Sequence, residues 1–107
     1  GGLSVNGVKI TPWQGPTAPN KSAIQKLLAD EGLTCYAWGN DPLDTYSAHT
    51  HPYNKVIYVV QGSLTFHLPQ TGQSVTLKAG DRLDLPAGTL HSATVGVAGV
   101  ECYEAHC

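Results

Sequence analysis

Three histidines carry most of the chemistry this sequence offers. His49 and His51 stand two residues apart in His49-Thr50-His51-Pro52-Tyr53-Asn54-Lys55, directly before an apolar run that Gly62 closes. On an extended backbone residues i and i+2 point to one side. The spacing therefore predicts two imidazoles on one strand face, which is half of a metal site for a borderline divalent ion. A lone His-x-His pair is equally compatible with solvated surface or a hydrogen-bonded core pair. The third histidine follows in Gly80-Asp81-Arg82-Leu83-Asp84-Leu85-Pro86-Ala87-Gly88-Thr89-Leu90-His91. Proline fixes φ and glycine permits positive φ, so Pro86-Ala87-Gly88 predicts a tight turn that presents His91 at the start of the next strand.

The elements that must position these residues are short. Residues 3–10 look extended, with a tight turn over Val5-Asn6-Gly7-Val8. Pro12, Pro16 and Pro19 make 11–21 irregular, with Trp13 as the anchor to the body. Residues 22–31 predict a helix. Ser22 with Gln25 forms a capping-box pattern, Ala23, Ile24, Leu27 and Leu28 form one apolar stripe, and Gly32 suits the stop. Such a helix is too short to stand alone, so it packs on the outside of the sheets or on a partner subunit. Strands are expected over 34–38, 44–51, 56–61, 63–68, 74–78, 82–85, 91–95 and 100–106. Many short strands at close spacing with one helix indicate an all-β sandwich or barrel.

Together the two histidine stretches resemble the two sequence motifs of the cupins. The first family motif reads roughly G-x5-H-x-H-x3-E-x6-G, and this chain supplies His49, His51 and Gly62 at those spacings. The second reads G-x5-P-x-G-x2-H-x3-N, and this chain supplies Gly80, Pro86, Gly88 and His91. The resemblance implies an all-β double-stranded β-helix, a jelly-roll barrel of six to eight strands with one short N-terminal helix. The length predicts a single domain over 1–107, with an N-terminal strand and helix extension over 1–39 and, where the resemblance lies, the conserved barrel over 40–106. The resemblance also implies pairing into a homodimer, for which open sheet edges give a physical reason. Three departures stand out. Leu43 replaces the opening glycine, Lys55 the glutamate that is normally a metal ligand, and Val95 the asparagine.

With the carboxylate gone, His49, His51 and His91 are the expected metal ligands, for one divalent zinc, iron, nickel, manganese or copper ion. A three-histidine site with open positions resembles those of thiol dioxygenases and zinc hydratases. Lys55 has three readings. Pointing away, it leaves the site intact. Pointing inward, its charge opposes the ion; at about 4 Å and an effective dielectric of about 20 one unit charge opposes another by about 4 kcal/mol, and a dication by about twice that. Such a lysine must be neutral or paired; Asp84 on the second-motif strand is a candidate partner, and the preferred alternative leaves Asp84 and Arg82 solvated, two apart on one face. Third, Lys55 is itself functional, as a base of lowered pKa or an anchor for an anionic substrate. Lys55 and Tyr53 are therefore the catalytic candidates. Tyr58 is read as packing and His67 as an ordinary strand histidine. Glu104 and His106 share a face with Cys102, while Glu101 and Tyr103 take the other; none of these is expected on a metal. By alternation, Ile57, Val59, Ala93 and Val95 face inward.

Composition narrows the remaining classes. A net charge of -2 with 13% charged residues gives no electrostatic case for nucleic acid or an anionic membrane. No apolar run reaches spanning length and no signal peptide is visible. Cys35, Cys102 and Cys107 lack a C-x2-C pair, which favours reduced thiols, read as small buried residues, in a cytoplasm. The chain contains no methionine, so Gly1 is read as a remnant of preparation and set aside. Three functions stay open: a metal-dependent oxygenase or isomerase acting on a small molecule, a non-catalytic ligand-binding or sensor module, and a metal-free structural or regulatory dimer.

Overall fold

The computed structural model describes residues 3–5, 7–15 and 17–107. Gly1, and Asn6 and Pro16 of the expected N-terminal turn and irregular segment, lie outside the described residues. Among the described residues eight strands and one helix run in the order β1 (Leu3–Val5), β2 (Val8–Thr11), α1 (Lys21–Asp30), β3 (Cys35–Asn40), β4 (Thr45–His49), β5 (Lys55–Leu68), β6 (Gln73–Lys78), β7 (Arg82–Leu85) and β8 (His91–His106). All pairings are antiparallel, and the strands form one hydrogen-bonded sheet folded over on itself.

The fold-over comes from β5 and β8, each of which replaces two expected strands. The first half of β5 lies between β7 and the second half of β8, beyond which β3 and the β2–β1 hairpin extend the layer. The second half of β5 pairs with β6 and with the first half of β8, which takes β4 on its other side. Both strands bend together where the register shifts, around Val59–Leu64. Gly62 sits at that corner with φ +80, and a Cβ there would lie 2.0 Å from the Gly99 carbonyl oxygen. No side chain fits so close a backbone approach.

The bulge also switches which residues face inward. Ile57 and Val59 are in the core before it, and Leu64, Phe66 and Leu68 after it. Ala93 and Val95 complete the expected inward set, joined by Leu77, Leu83, Leu85 and Cys102. Cys102, buried in this core, has its thiol pushed up to about 12, first by burial and then by the charge of Glu104. It fits the reading of a small buried residue, whereas Cys107 is exposed and does not.

Helix α1 packs outside the barrel, where Ile24 and Leu28 meet Val56, Tyr58, Tyr103 and Ala105. Its stripe is narrower than expected, since Leu27 is exposed. Its start is also earlier. Asn20, not Ser22, is the N-cap, and its Oδ1 accepts the Ala23 N–H at 2.9 Å. At the far end the Leu33 and Gly32 amides return to the Leu28 and Ala29 carbonyls, the paired bonds of a Schellman stop. Trp13 anchors the preceding segment: it packs against this outer cluster and its Nε1 donates to the Thr17 carbonyl at 2.8 Å.

Candidate metal centre

Backbone pairing, more than strand alternation, gathers the histidines. β4 and β8 place His49 opposite His91. His51 lies beyond the end of β4, contrary to the one-strand reading, because β4 stops at His49. It is held instead by cross-links between its loop and the Pro86–Gly88 turn. The Gly88 N–H donates to the His51 carbonyl at 2.8 Å, and the Ala87 N–H donates to Asn54 Oδ1 at 2.8 Å. Gly88 takes the φ of +78 that the turn requires.

One ring nitrogen from each of His49, His51 and His91 lies within 4.8 Å of the other two, close enough for the three to meet on one ion. His49 Nδ1 is 2.6 Å from the Ser47 carbonyl and His91 Nδ1 is 2.9 Å from the Thr89 carbonyl. A carbonyl only accepts, so both Nδ1 atoms carry the proton and a neutral ring keeps its lone pair on Nε2. His51 Nδ1 lies 3.2 Å from the Tyr53 hydroxyl, while its buried Nε2 has no hydrogen-bond partner. Burial lowers the pKa of His51 and His91 below the usual imidazole value, and the positive charge of Lys55 acts in the same direction. Neutral imidazoles with oriented Nε2 lone pairs and one orphaned nitrogen are the donor set a divalent transition metal takes.

These residues open onto a cavity of about 490 Å³. Its walls are apolar and aromatic, with Ile57, Leu64, Phe66, Ala93, Trp38 and Tyr46 among them. Tyr53 is half-buried on the lining and stacks on His51 and His106, with ring centroids 5.0 and 3.8 Å apart. Tyr58 lies on the opposite face of β5 in the outer cluster, as packing.

Lys55 points inward, the second of its three readings. It is 8% exposed, lines the cavity, and its pKa is lowered by burial against the opposing pull of a carboxylate. That carboxylate is not Asp84. Lys55 Nζ lies 3.7 Å from Glu104 Oε2, whereas Asp84 pairs with Arg82 at 3.0 Å on the outer face. Leu83 and Leu85 of β7 fill the core, so Asp84 between them must point away. The Asp84–Arg82 alternative is the correct pairing, although Arg82 is too covered to count as solvated.

Glu104 is the site residue that sequence reasoning passed over. It is 5% exposed and pairs across β5–β8 with Ile57. Its Oε1 accepts Trp38 Nε1–H at 3.1 Å, and its Oε2 accepts the Tyr36 hydroxyl and, at 2.8 Å, His106 Nε2. The Tyr36 hydroxyl is pushed upward by burial and by Glu104, so it stays protonated and donates. The available signal was parity, since Glu104 lies two residues from buried Cys102. His67 is spent on Ser74 and Thr94 across its strand neighbours, at 2.9 and 3.2 Å.

Eight antiparallel strands folded into a barrel around a histidine-lined cavity define the double-stranded β-helix class. The chain belongs to the cupin domain family, whose sequence profile matches residues 41–96. No curated protein matches it. A DUF861-family protein from Thermotoga maritima is similar in structure, at 16% identity and TM-score 0.60, covering 91% of this chain and 96% of its own. The polyketide cyclase RemF from Streptomyces resistomycificus is similar at 18% identity and TM-score 0.62, covering 94% and 65%. The DMSP lyase DddQ from Ruegeria pomeroyi is similar at 19% identity and TM-score 0.62, covering 69% and 37%. At these identities the likeness is one of fold.

Proposed function

We propose that the chain is a metal-dependent cupin enzyme catalysing isomerase-type proton transfer on a small oxo or hydroxy acid. The observation that carries the reading is the orphaned, buried His51 Nε2 beside two rings whose Nδ1 atoms are tied to carbonyls. His49, His51 and His91 would hold one divalent transition ion, which supplies Lewis acidity toward a substrate oxygen. The apolar wall of Ile57, Leu64 and Phe66 holds the substrate body and displaces water. The Lys55 ammonium faces the same cavity and offers a positive charge to the carboxylate or to the oxyanion formed when a proton leaves. The Lys55–Glu104 pair lines the cavity and can take up the proton that leaves carbon and return it, which is the ground for preferring proton transfer to the oxygenase alternative.

Free thiols at Cys35, Cys102 and Cys107 support a cytoplasmic setting. No helix among the described residues is long and apolar enough to cross a membrane. A homodimer through the open sheet edges remains part of the proposal.

The test is an NMR screen of tag-free, metal-loaded protein against small 2-oxo and 2-hydroxy acids in deuterium oxide. Deuterium entering one carbon position, abolished in His91→Ala, is expected. Binding without exchange across the set contradicts the enzyme reading and favours a ligand-binding cupin.

A further inference from the structure

A cupin barrel with a lysine where a ligand carboxylate normally stands needs something to contain that charge. Three hydrogen-bond donors and one cation converge on the Glu104 carboxylate: the Tyr36 hydroxyl and Trp38 Nε1 from β3, His106 Nε2 from its own strand, and Lys55 Nζ from β5 as an ion pair at 3.7 Å. Lys55 and Glu104 side chains are 9% and 7% exposed, so water screens neither of them well. Both line the cavity that His49, His51 and His91 line. The three hydrogen bonds fix the carboxylate without lysine's help. Glu104 is therefore a preset counter-charge, and Lys55 is the partner drawn to it.

We infer that Glu104 is the positioning residue that makes the three-histidine site competent for a dication, by neutralising the inward ammonium of Lys55. This rests on the metal reading above. The lost ligand carboxylate is thus replaced in charge and not in coordination. Lys55 with Glu104 sums to zero, and the imidazoles are neutral ligands, so the bound ion keeps its full double charge. The open side of the site is consequently suited to an anionic ligand.

The test is a double-mutant cycle read as metal affinity, with zinc and cobalt(II) as probes in competition with a chromophoric chelator at pH 7. Glu104→Gln keeps the shape of the side chain and removes its charge. It is expected to weaken metal binding on the order of 100-fold, well short of the bare repulsion at contact range, because a lysine left without its counter-charge relieves much of it by shedding its proton or moving away. Adding Lys55→Met to that variant removes both charges and is expected to restore affinity to within about threefold of the parent. A Glu104→Gln variant that binds like the parent overturns the inference and leaves the metal reading standing. A parent that binds neither probe overturns both. If Glu104→Gln does not fold, the double variant decides. Folded and metal-binding, it supports neutralisation. Unfolded or unable to bind metal, it shows that Glu104 serves β3–β8 packing alone, and the inference falls.

Discussion

Lys55 with Glu104, and Arg82 with Glu31 and Asp84, are built from the same two kinds of charge on opposite faces of one layer. The outer cluster is a staple. Arg82 Nη2 reaches Glu31 Oε1 and Asp84 Oδ1, both at 3.0 Å, and Nη1 touches the Tyr58 hydroxyl at 3.2 Å. It joins the end of α1 to β7 at the edge of an apolar cluster, and its carboxylates keep access to water. The inner pair holds no element in place that backbone pairing does not already hold. It faces a cavity, and its charges bear on the histidines. A bidentate, partly wetted guanidinium pair is suited to structure, and a buried ammonium near the unpartnered His51 Nε2 to chemistry.

Breaking each cluster in turn separates these roles. The largest effect is expected from His91→Ala, which removes the most buried of the three proposed ligands. Metal affinity should fall by more than the roughly 10- to 100-fold typical of losing a ligand's supporting partner, while thermal unfolding of the metal-free chain stays cooperative. Glu104→Gln comes next, as described above. Arg82→Met should do the reverse, lowering stability by about 1–2 kcal/mol, the discount reflecting the exposure of its partners. Denaturant melts read this, and metal affinity should not change. A change in metal affinity in Arg82→Met would show that the two faces are coupled.

The smallest effect is expected at Leu43. The backbone there has φ +65, the one positive value at a non-glycine among the described residues, and the side chain is 64% exposed. The family's glycine is gone while its conformation stays. Leu43→Gly should therefore raise stability by about 1 kcal/mol or slightly less, since relief of left-handed strain is partly offset by glycine's freedom when unfolded. Loss of stability would mean that Leu43 makes contacts that outweigh its backbone strain.

How much of this was legible varies with the distance over which each feature is set. Motif spacing, a local property, located all three histidines, the Pro86–Gly88 turn and the barrel. Alternation placed Ile57, Val59, Ala93 and Val95 inward, because each lies on a regular stretch on one side of the corner. Alternation does not survive the corner itself. The inward positions of β8 are 91, 93 and 95 before it and 102 and 104 after it, so counting from His91 puts Glu104 on the wrong side. Lys55–Asp84, weighed as a candidate pair against the preferred Asp84–Arg82 face, could not be decided for a related reason. β7 and β8 both flank β5, and only the burial of Leu83 and Leu85 shows that Asp84 faces out. The cap at Asn20 was missed because Ser22 and Gln25 offered a competing box two residues later.

The most direct measurement is metal content by elemental analysis of tag-free protein, as purified and after dialysis against zinc or iron(II), beside His91→Ala. Close to one ion per chain in the parent, with none retained by the variant, is the expected result. Parent protein that takes up no ion under either condition would contradict a metal centre here and leave the cavity as a ligand pocket.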